Sequence, residues 1–254
     1  MSTLSRPSIV PPSSEAHKYS RGMVAVVQGA MAGAAMLAAR AAMHGGAGYV
    51  VLAGRAPDTP GPDALVRRRI EALGPLLDDR RLGAVVVGPG LGDEPVWLTE
   101  ALESACPLVL DGDVLTREIV EPVARRRART ILTPHAAEFD RMFGPSLKPK
   151  VERTKAAAHA AGATIVHKGA ETVIASPQGA HWVETEGSPW LSTAGTGDVL
   201  AGLIAARLAV RRDPDAAVEA VWLHTRIAAL AGPAFIADDL IALIPQAIAE
   251  CLPN

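Results

Sequence analysis

The sequence predicts a three-layer α/β fold, with a mostly parallel central sheet covered on both faces and a short antiparallel section. Three observations carry this. Uninterrupted apolar runs such as Met23–Gln28 and Ala84-Val85-Val86-Val87 read as strands buried on both faces, the pattern of a covered parallel sheet. Helical patterns separate these runs and supply the crossovers that parallel neighbours need. Between residues 164 and 184 three apolar runs follow too closely for crossovers, so a hairpin is expected there.

Taken in order, Met23–Gln28 is the first strand. Ala32–His44, rich in alanine, is a helix stopped by Gly45-Gly46. Gly48–Ala53 is the second strand. Asp63–Leu77 carries Leu65, Ile70, Leu73 and Leu77 at near-helical spacing, so a helix is expected. Ala84–Val87 is a strand, Glu94–Ser104 a helix, Pro107–Leu110 a strand, Val114–Arg127 a helix and Thr130–Leu132 a strand. Ala136–Phe143 and Lys150–Ala161 are helices. Thr164–His167, Thr172–Ser176 and Ala180–Glu184 are the closely spaced strands, with Pro177-Gln178-Gly179 turning between the last two. Asp198–Ala209, Asp215–Ala231 and Ile236–Cys251 are helices, broken by Asp213-Pro214 and Gly232-Pro233. The arginine runs Arg67–Arg69 and Arg125–Arg127 are expected on solvated helix faces. Without repeats, charged linkers or composition breaks, residues 17–254 are expected to be one domain. The Ser- and Pro-rich residues 1–16 are expected to be a disordered arm.

Composition excludes several classes. The chain of 254 residues has a formal net charge of −2, so it lacks the basic excess that neutralises nucleic-acid phosphates. Four Trp, two Tyr and three Phe leave little for base stacking. No apolar run approaches the roughly 18 residues that cross a bilayer, and the N-terminus lacks a secretory signal pattern. Neither a nucleic-acid nor a membrane partner is expected. Cys106 and Cys251 are too few for a disulfide framework or a four-thiolate zinc site, and read as reduced thiols of a cytoplasmic protein.

Ligands of open α/β sheets bind beyond the carboxyl ends of strands, and five distinctive segments fall there. Gly88-Pro89-Gly90-Leu91-Gly92 is either a structural turn or a place of close ligand approach. Asp111 and Asp113 can hold magnesium or ligand hydroxyls, or Asp113 can cap the next helix. Thr133-Pro134-His135 precedes Glu138; Thr133 with Glu138 can be a capping pair, or His135 can meet a ligand. Lys168-Gly169-Ala170 suits a phosphate contact or a solvent-facing turn. Thr193-Ala194-Gly195-Thr196-Gly197-Asp198 opens an apolar helix, where glycine-loop amides form an anion site. Asp198 there is either a helix-dipole partner or a base for an attacking hydroxyl. With four other segments at strand ends, the base is the better reading.

These segments resemble a known family. Gly195-Thr196-Gly197-Asp198 at a helix start is similar to the anion hole of the ribokinase-like superfamily. Lys168-Gly-Ala-Glu-Thr172-Val-Ile-Ala followed by Thr193-Ala-Gly-Thr-Gly-Asp-Val-Leu-Ala-Gly202 resembles the ADP-dependent NAD(P)H-hydrate dehydratases. Leu132-Thr-Pro-His-Ala-Ala-Glu138, Gly88–Gly92, Leu110–Asp113, Gly46-Ala-Gly48 and His17–Gly22 match in the same order, across about residues 17–250.

The resemblance implies a ribokinase-like fold and a repair lyase that returns (6S)-NADHX and NADPHX, the hydrated nicotinamide nucleotides, to NADH and NADPH. ADP, or ATP, would phosphorylate the hydrate hydroxyl with Mg2+ present, and phosphate would then be eliminated. Lys168, Gly169, Ala170, Glu171, Thr172 and Gly197 would bind the nucleotide. Asp198 would bind the hydroxyl and act as base, and Gly195, Thr196 and Gly197 would form the anion hole. Ala34, Gly90, Gly92 and His135 would contact the hydrate, and Glu138 would orient magnesium or its water. A homotetramer is implied, with an NAD(P)HX epimerase as a separate functional partner. The chain departs from the family where Gly29-Ala30-Met31-Ala32-Gly33-Ala34 lacks the usual serine and is shorter, where Thr196 replaces serine, and where Ala136-Ala137 replaces Pro-Gly. The altered 29–35 loop motivates two alternatives: a kinase of a hydroxymethylpyrimidine or thiazole alcohol, and a catalytically silent nucleotide-binding protein.

Overall fold

The computed structural model describes residues 2–211 and 215–253. The strands are β1 (Ser2–Thr3), β2 (Met23–Gln28), β3 (Tyr49–Gly54), β4 (Val66–Arg69), β5 (Leu82–Val87), β6 (Leu108–Leu110), β7 (Thr130–Leu132), β8 (Thr164–His167), β9 (Thr172–Ala175) and β10 (His181–Glu184). The helices are α1 (Ala32–His44), α2 (Gly74–Leu77), α3 (Pro95–Glu103), α4 (Val120–Ala124), α5 (Ala136–Phe143), α6 (Lys150–Ala161), α7 (Thr196–Arg211), α8 (Asp215–Ala231) and α9 (Ala237–Ala249). The expected break at Asp213-Pro214 lies outside the described residues.

Full burial of the central strands dictates the layering. In β2, Val24 and Val26 point to a core shared with α1, α7, α8 and α9. Met23, Ala25 and Val27 point to a second core on the other face, built with Leu73, Trp97, Ile119, Phe139 and Ala157. Strand alternation thus feeds two apolar layers from one run of residues. The sheet order is β1-β10-β9-β8-β7-β6-β5-β2-β3-β4. From β4 to β8 all neighbours are parallel. β9 is antiparallel to both β8 and β10, which is the hairpin section expected from the spacing.

Helix α7 lies across β5, β2 and β6 and packs on α1 and α8. Its residues from Val199 to Ala209 are all buried. The α1 contact is backbone to backbone, because a Cβ built on Gly202 would sit 2.1 Å from the Ala38 carbonyl oxygen. Alanines 35, 38, 39, 41 and 42 are the small residues of the buried side of α1.

Three expectations are corrected. Asp63–Leu77 is not a helix: Val66–Arg69 pairs with β3, and only Gly74–Leu77 is helical. Leu65 and Ile70 are buried at the two ends of this strand, whose arginines 67 to 69 place charge on the sheet edge and discourage further pairing. Val114–Arg127 breaks into short 3₁₀ turns at Gly112–Val114 and Arg117–Ile119 before α4. Pro122 has no N–H and its ring would clash with a preceding helical turn, so the helix can begin only just before it. Within the second arginine run, Arg126 is not solvated. It is half-buried and donates to the Ala101 (2.7 Å), Leu102 and Cys106 (2.6 Å) carbonyls at the end of α3.

The arm over residues 1–16 also differs from a free segment. Ser2–Thr3 pairs with β10, and Ile9 is buried with its amide 2.8 Å from the Cys251 carbonyl oxygen. Apolar anchors sparse enough to vanish in a composition reading account for this.

Gly202→Ala is expected to destabilise the protein by about 1–3 kcal/mol or more, through overpacking at the α1–α7 contact. Gly33→Ala, where nothing lies within 4 Å, is expected to be neutral or to stabilise by about 0.5–1 kcal/mol. Urea unfolding of both variants checks the contrast.

Candidate active site

Four of the five predicted segments meet at the carboxyl ends of β5, β6, β7 and β8. Asp111, following β6, is only 3% exposed. Its Oδ1 accepts from Lys168 Nζ at 2.8 Å and from Thr133 Oγ1 at 2.6 Å. A carboxylate this deep is stable only when paired and hydrogen-bonded, and β6, β7 and β8 each supply one member of the trio. Lys168 is therefore not a solvent-facing turn residue, and Thr133 is not a helix cap. Close passage of the loops needs Gly88, since a Cβ there would overlap the Asp111 carbonyl oxygen at 1.8 Å.

The anion loop stands over this trio. A Cβ built on Gly197 would lie 3.3 Å from Lys168 Nζ and 3.7 Å from Asp111 Oδ2. Gly195 has φ +89°, which turns the chain into α7, and Thr196 Oγ1 donates to the Leu191 (2.7 Å) and Thr193 (3.0 Å) carbonyls. The loop is thus braced, and the first helical turn, whose leading amides have no intrahelical partner, opens beside Lys168 and Asp111. Asp198, in that turn, has its pKa pushed up to about 6, first by burial and then by the negative charge of Asp111, with Lys168 opposing. A helix-dipole partner would be shifted downward instead. Asp198 behaves as a carboxylate poised to take a proton near neutral pH.

Beside this centre, the altered 29–34 loop runs along 90–92. The Met31 amide donates to the Gly90 carbonyl (2.9 Å) and the Ala30 amide to that of Leu91 (3.2 Å). A Cβ on Gly90 would lie 3.1 Å from Ala34 Cβ, and one on Gly92 would lie 2.9 Å from Ala30 Cβ. Asp113 caps no helix; its Oδ2 accepts from the Gly92 amide at 2.9 Å and ties this loop to the Asp111 strand end.

His135 and Glu138 form a capping box at the start of α5. His135 Nδ1 accepts from the Ala137 (3.1 Å) and Glu138 (3.3 Å) amides, and Glu138 Oε2 accepts from the His135 amide at 2.7 Å. The His135 ring is exposed at the rim and Glu138 is buried. Among the described residues, no three His, Cys, Asp or Glu side chains gather as a metal cage.

Two groups that motif reading passed over shape the site. Lys150, from α6, donates to the Lys168 (3.1 Å) and Glu171 carbonyls, and so holds the loop of Gly169, Ala170 and Glu171. Burial pushes its pKa down. Thr172 closes the same loop through Oγ1 to the Gly169 carbonyl at 3.3 Å. His224, from α8, contacts the anion loop from behind, with Nε2 2.9 Å from the Thr196 carbonyl oxygen. Neither has a sequence signature, because each acts on backbone carbonyls from a distant helix.

The raised pKa of Asp198 has a consequence for stability. The folded state holds its proton more tightly than the unfolded state, so ionising it costs stability as pH rises through about 6. Asp198→Asn is expected to be about 1–3 kcal/mol more stable than the wild type at pH 7.5, with the gap closing below about pH 4. Thermal unfolding at the two pH values checks this.

The family model described as NAD(P)H-hydrate dehydratase matches residues 24–254. The bifunctional NAD(P)H-hydrate repair enzyme Nnr of Gloeobacter violaceus is 42% identical over 230 residues, covering 82% of this chain and 45% of the relative. The enzyme of the same name from Synechocystis is 36% identical over 253 residues, covering 90% and 47%. The chain therefore spans about half the length of the curated relatives it matches. Among solved structures, the ADP/ATP-dependent NAD(P)H-hydrate dehydratase of Bacillus subtilis, crystallised with ATP and Mg2+, superposes with a TM-score of 0.83 at 29% identity, covering 96% of this chain and 95% of that one. On this match of sequence and ribokinase-like architecture, the chain belongs to the NAD(P)H-hydrate dehydratase family.

Proposed function

We propose that this chain is an ADP-dependent dehydratase that returns NADHX and NADPHX to NADH and NADPH, with residues 17–254 working as one domain. The observation that carries the proposal is Asp198. It is a partly buried carboxylate with a pKa near neutrality, at the mouth of a braced anion loop, beside a lysine that a neighbouring strand holds ready.

Asp198 takes the proton of the hydrate hydroxyl as its oxygen attacks the terminal phosphorus of ADP. The phosphorus–oxygen bond to AMP breaks, and the amides of Gly195, Thr196 and Gly197 hold the charge of the group in transfer. The ring nitrogen lone pair then expels phosphate, and loss of the neighbouring ring proton restores the dihydronicotinamide. Lys168 exchanges Asp111 for nucleotide phosphate, and the 168–172 loop, clamped by Lys150, receives the nucleotide. Ala34, Gly90, Gly92 and His135 line the hydrate side. Magnesium would be borne by nucleotide phosphates and neutralise their charge, with Glu138 orienting the ion or its water. ATP is an alternative donor, as the Bacillus subtilis neighbour's crystallisation with ATP and Mg2+ suggests. We also propose a cytoplasmic homotetramer, with an NAD(P)HX epimerase activity as functional partner, in line with the bifunctional names of the relatives. No helix among the described residues is long and apolar enough to cross a membrane.

Purified chain given hydrate, Mg2+ and ADP is expected to restore the absorbance of reduced nicotinamide with release of phosphate. A stable phosphorylated product would instead support the kinase reading that the Ala30-Met31 loop motivates. Absence of any turnover would leave the silent nucleotide-binding protein.

Asp198→Asn is expected to lower kcat at least a hundredfold with little change in ADP affinity, measured by calorimetry. Because the base works deprotonated, the wild-type rate is expected to climb with pH through about 6 and level off above it. A flat profile between pH 5 and 7.5 would contradict this.

A further inference from the structure

We infer that His224 is a positioning residue for the anion loop: its ring, reaching from α8 to the Thr196 carbonyl, sets the tilt of the 196–197 peptide and aims the Gly197 amide at the transferred phosphoryl group. The inference rests on the function proposed above for that loop.

The argument begins with the peptide unit. The Thr196 carbonyl and the Gly197 N–H belong to one rigid plane and point in opposite directions. A donor that grips the carbonyl from behind therefore fixes where the N–H points in front. His224 Nε2 lies 2.9 Å from the Thr196 oxygen, and both residues are buried. A carbonyl only accepts, so this nitrogen carries the proton. In front, the Gly197 position faces Lys168 Nζ and Asp111 Oδ2, the charged floor of the site. The bond also polarises the peptide, which makes the N–H a stronger donor on its other side.

The surroundings keep the ring in place and in one state. α8 is fixed to α7 by Glu219, which binds Arg207 Nε at 2.8 Å and also Arg211, with Arg207 and Glu219 both buried. Burial holds the His224 pKa down at about 4, so the ring stays neutral while Asp198 titrates. Lys168 adds to that depression. The bond is consequently constant over the range in which Asp198 titrates. Thr196 Oγ1 braces the loop toward Leu191 and Thr193, so the peptide is gripped by its side chain on one side and its carbonyl on the other.

The test compares H224Q, whose amide can still donate to the carbonyl, with H224L, which cannot. Misaiming one anion-hole donor is expected to lower kcat roughly tenfold to a hundredfold in H224L, while KM for ADP changes by less than about threefold. H224Q is expected to regain most of the loss. A purely structural role would lower both variants together, in step with their thermal midpoints, and would overturn the inference, as would unchanged kcat in H224L. A second measurement is independent of hydrate turnover. In ¹⁵N-labelled protein, ADP is expected to move the Gly197 amide proton downfield in wild type and H224Q, and not in H224L. Equal shifts in all three overturn the inference. No turnover in wild type, with the Gly197 pattern intact, refutes the dehydratase reading and leaves the positioning role standing.

Discussion

The backbone contact between α1 and α7 is the constraint on which the rest of the site depends. Gly202 lets α7 meet the backbone of α1 at Ala38, and small alanine side chains keep the rest of the contact close. The helix carrying the anion loop and the helix opened by the 29–34 loop are thereby locked together. Gly195 itself abuts α1 and α9, since a Cβ there would lie 2.6 Å from Leu37 Cδ1 and 2.9 Å from Ala237 Cβ. Phosphoryl chemistry tolerates little misplacement, so a contact without flexible spacers suits a site assembled from elements far apart in sequence.

The electrostatic design follows from that rigidity. The near-neutral chain holds its charges locally, with one lysine and two acids at neighbouring strand ends and helix amides opposite. Asp111 serves two masters. It parks Lys168, and its charge helps raise the pKa of Asp198. On the function proposed here, phosphate would draw Lys168 away and the negative field on Asp198 would strengthen, linking nucleotide arrival to base strength through one buried carboxylate.

Much of this was legible in the residues. Ala32–His44, Thr130–Leu132, Ala136–Phe143, Lys150–Ala161, Thr164–His167 and Asp215–Ala231 have the expected boundaries, because each pairs a clean period with a glycine or proline stop. The segments at strand ends were legible because glycines and acids there break apolar runs at the places where open sheets bind ligands. What escaped was decided by partners outside the local window. Val66–Arg69 is a strand because β3 offers an edge, and Pro122 outweighs an otherwise helical stretch. Lys150 and His224 look like ordinary helix residues until the fold sets them against the carbonyls of the site.

The late position of α7 in the chain has a consequence in time. The strands it covers, β2, β5 and β6, are complete by Leu110, but the helix ends about 100 residues later, at Arg211. At ribosomal speeds of about 5–20 residues per second, roughly 5–20 s separate these strands, partly covered by α1, from the helix that covers more of the same face. The anion loop opens α7, and α8 and α9 add to the same core only after it, so this side of the sheet is completed near the end of the described chain.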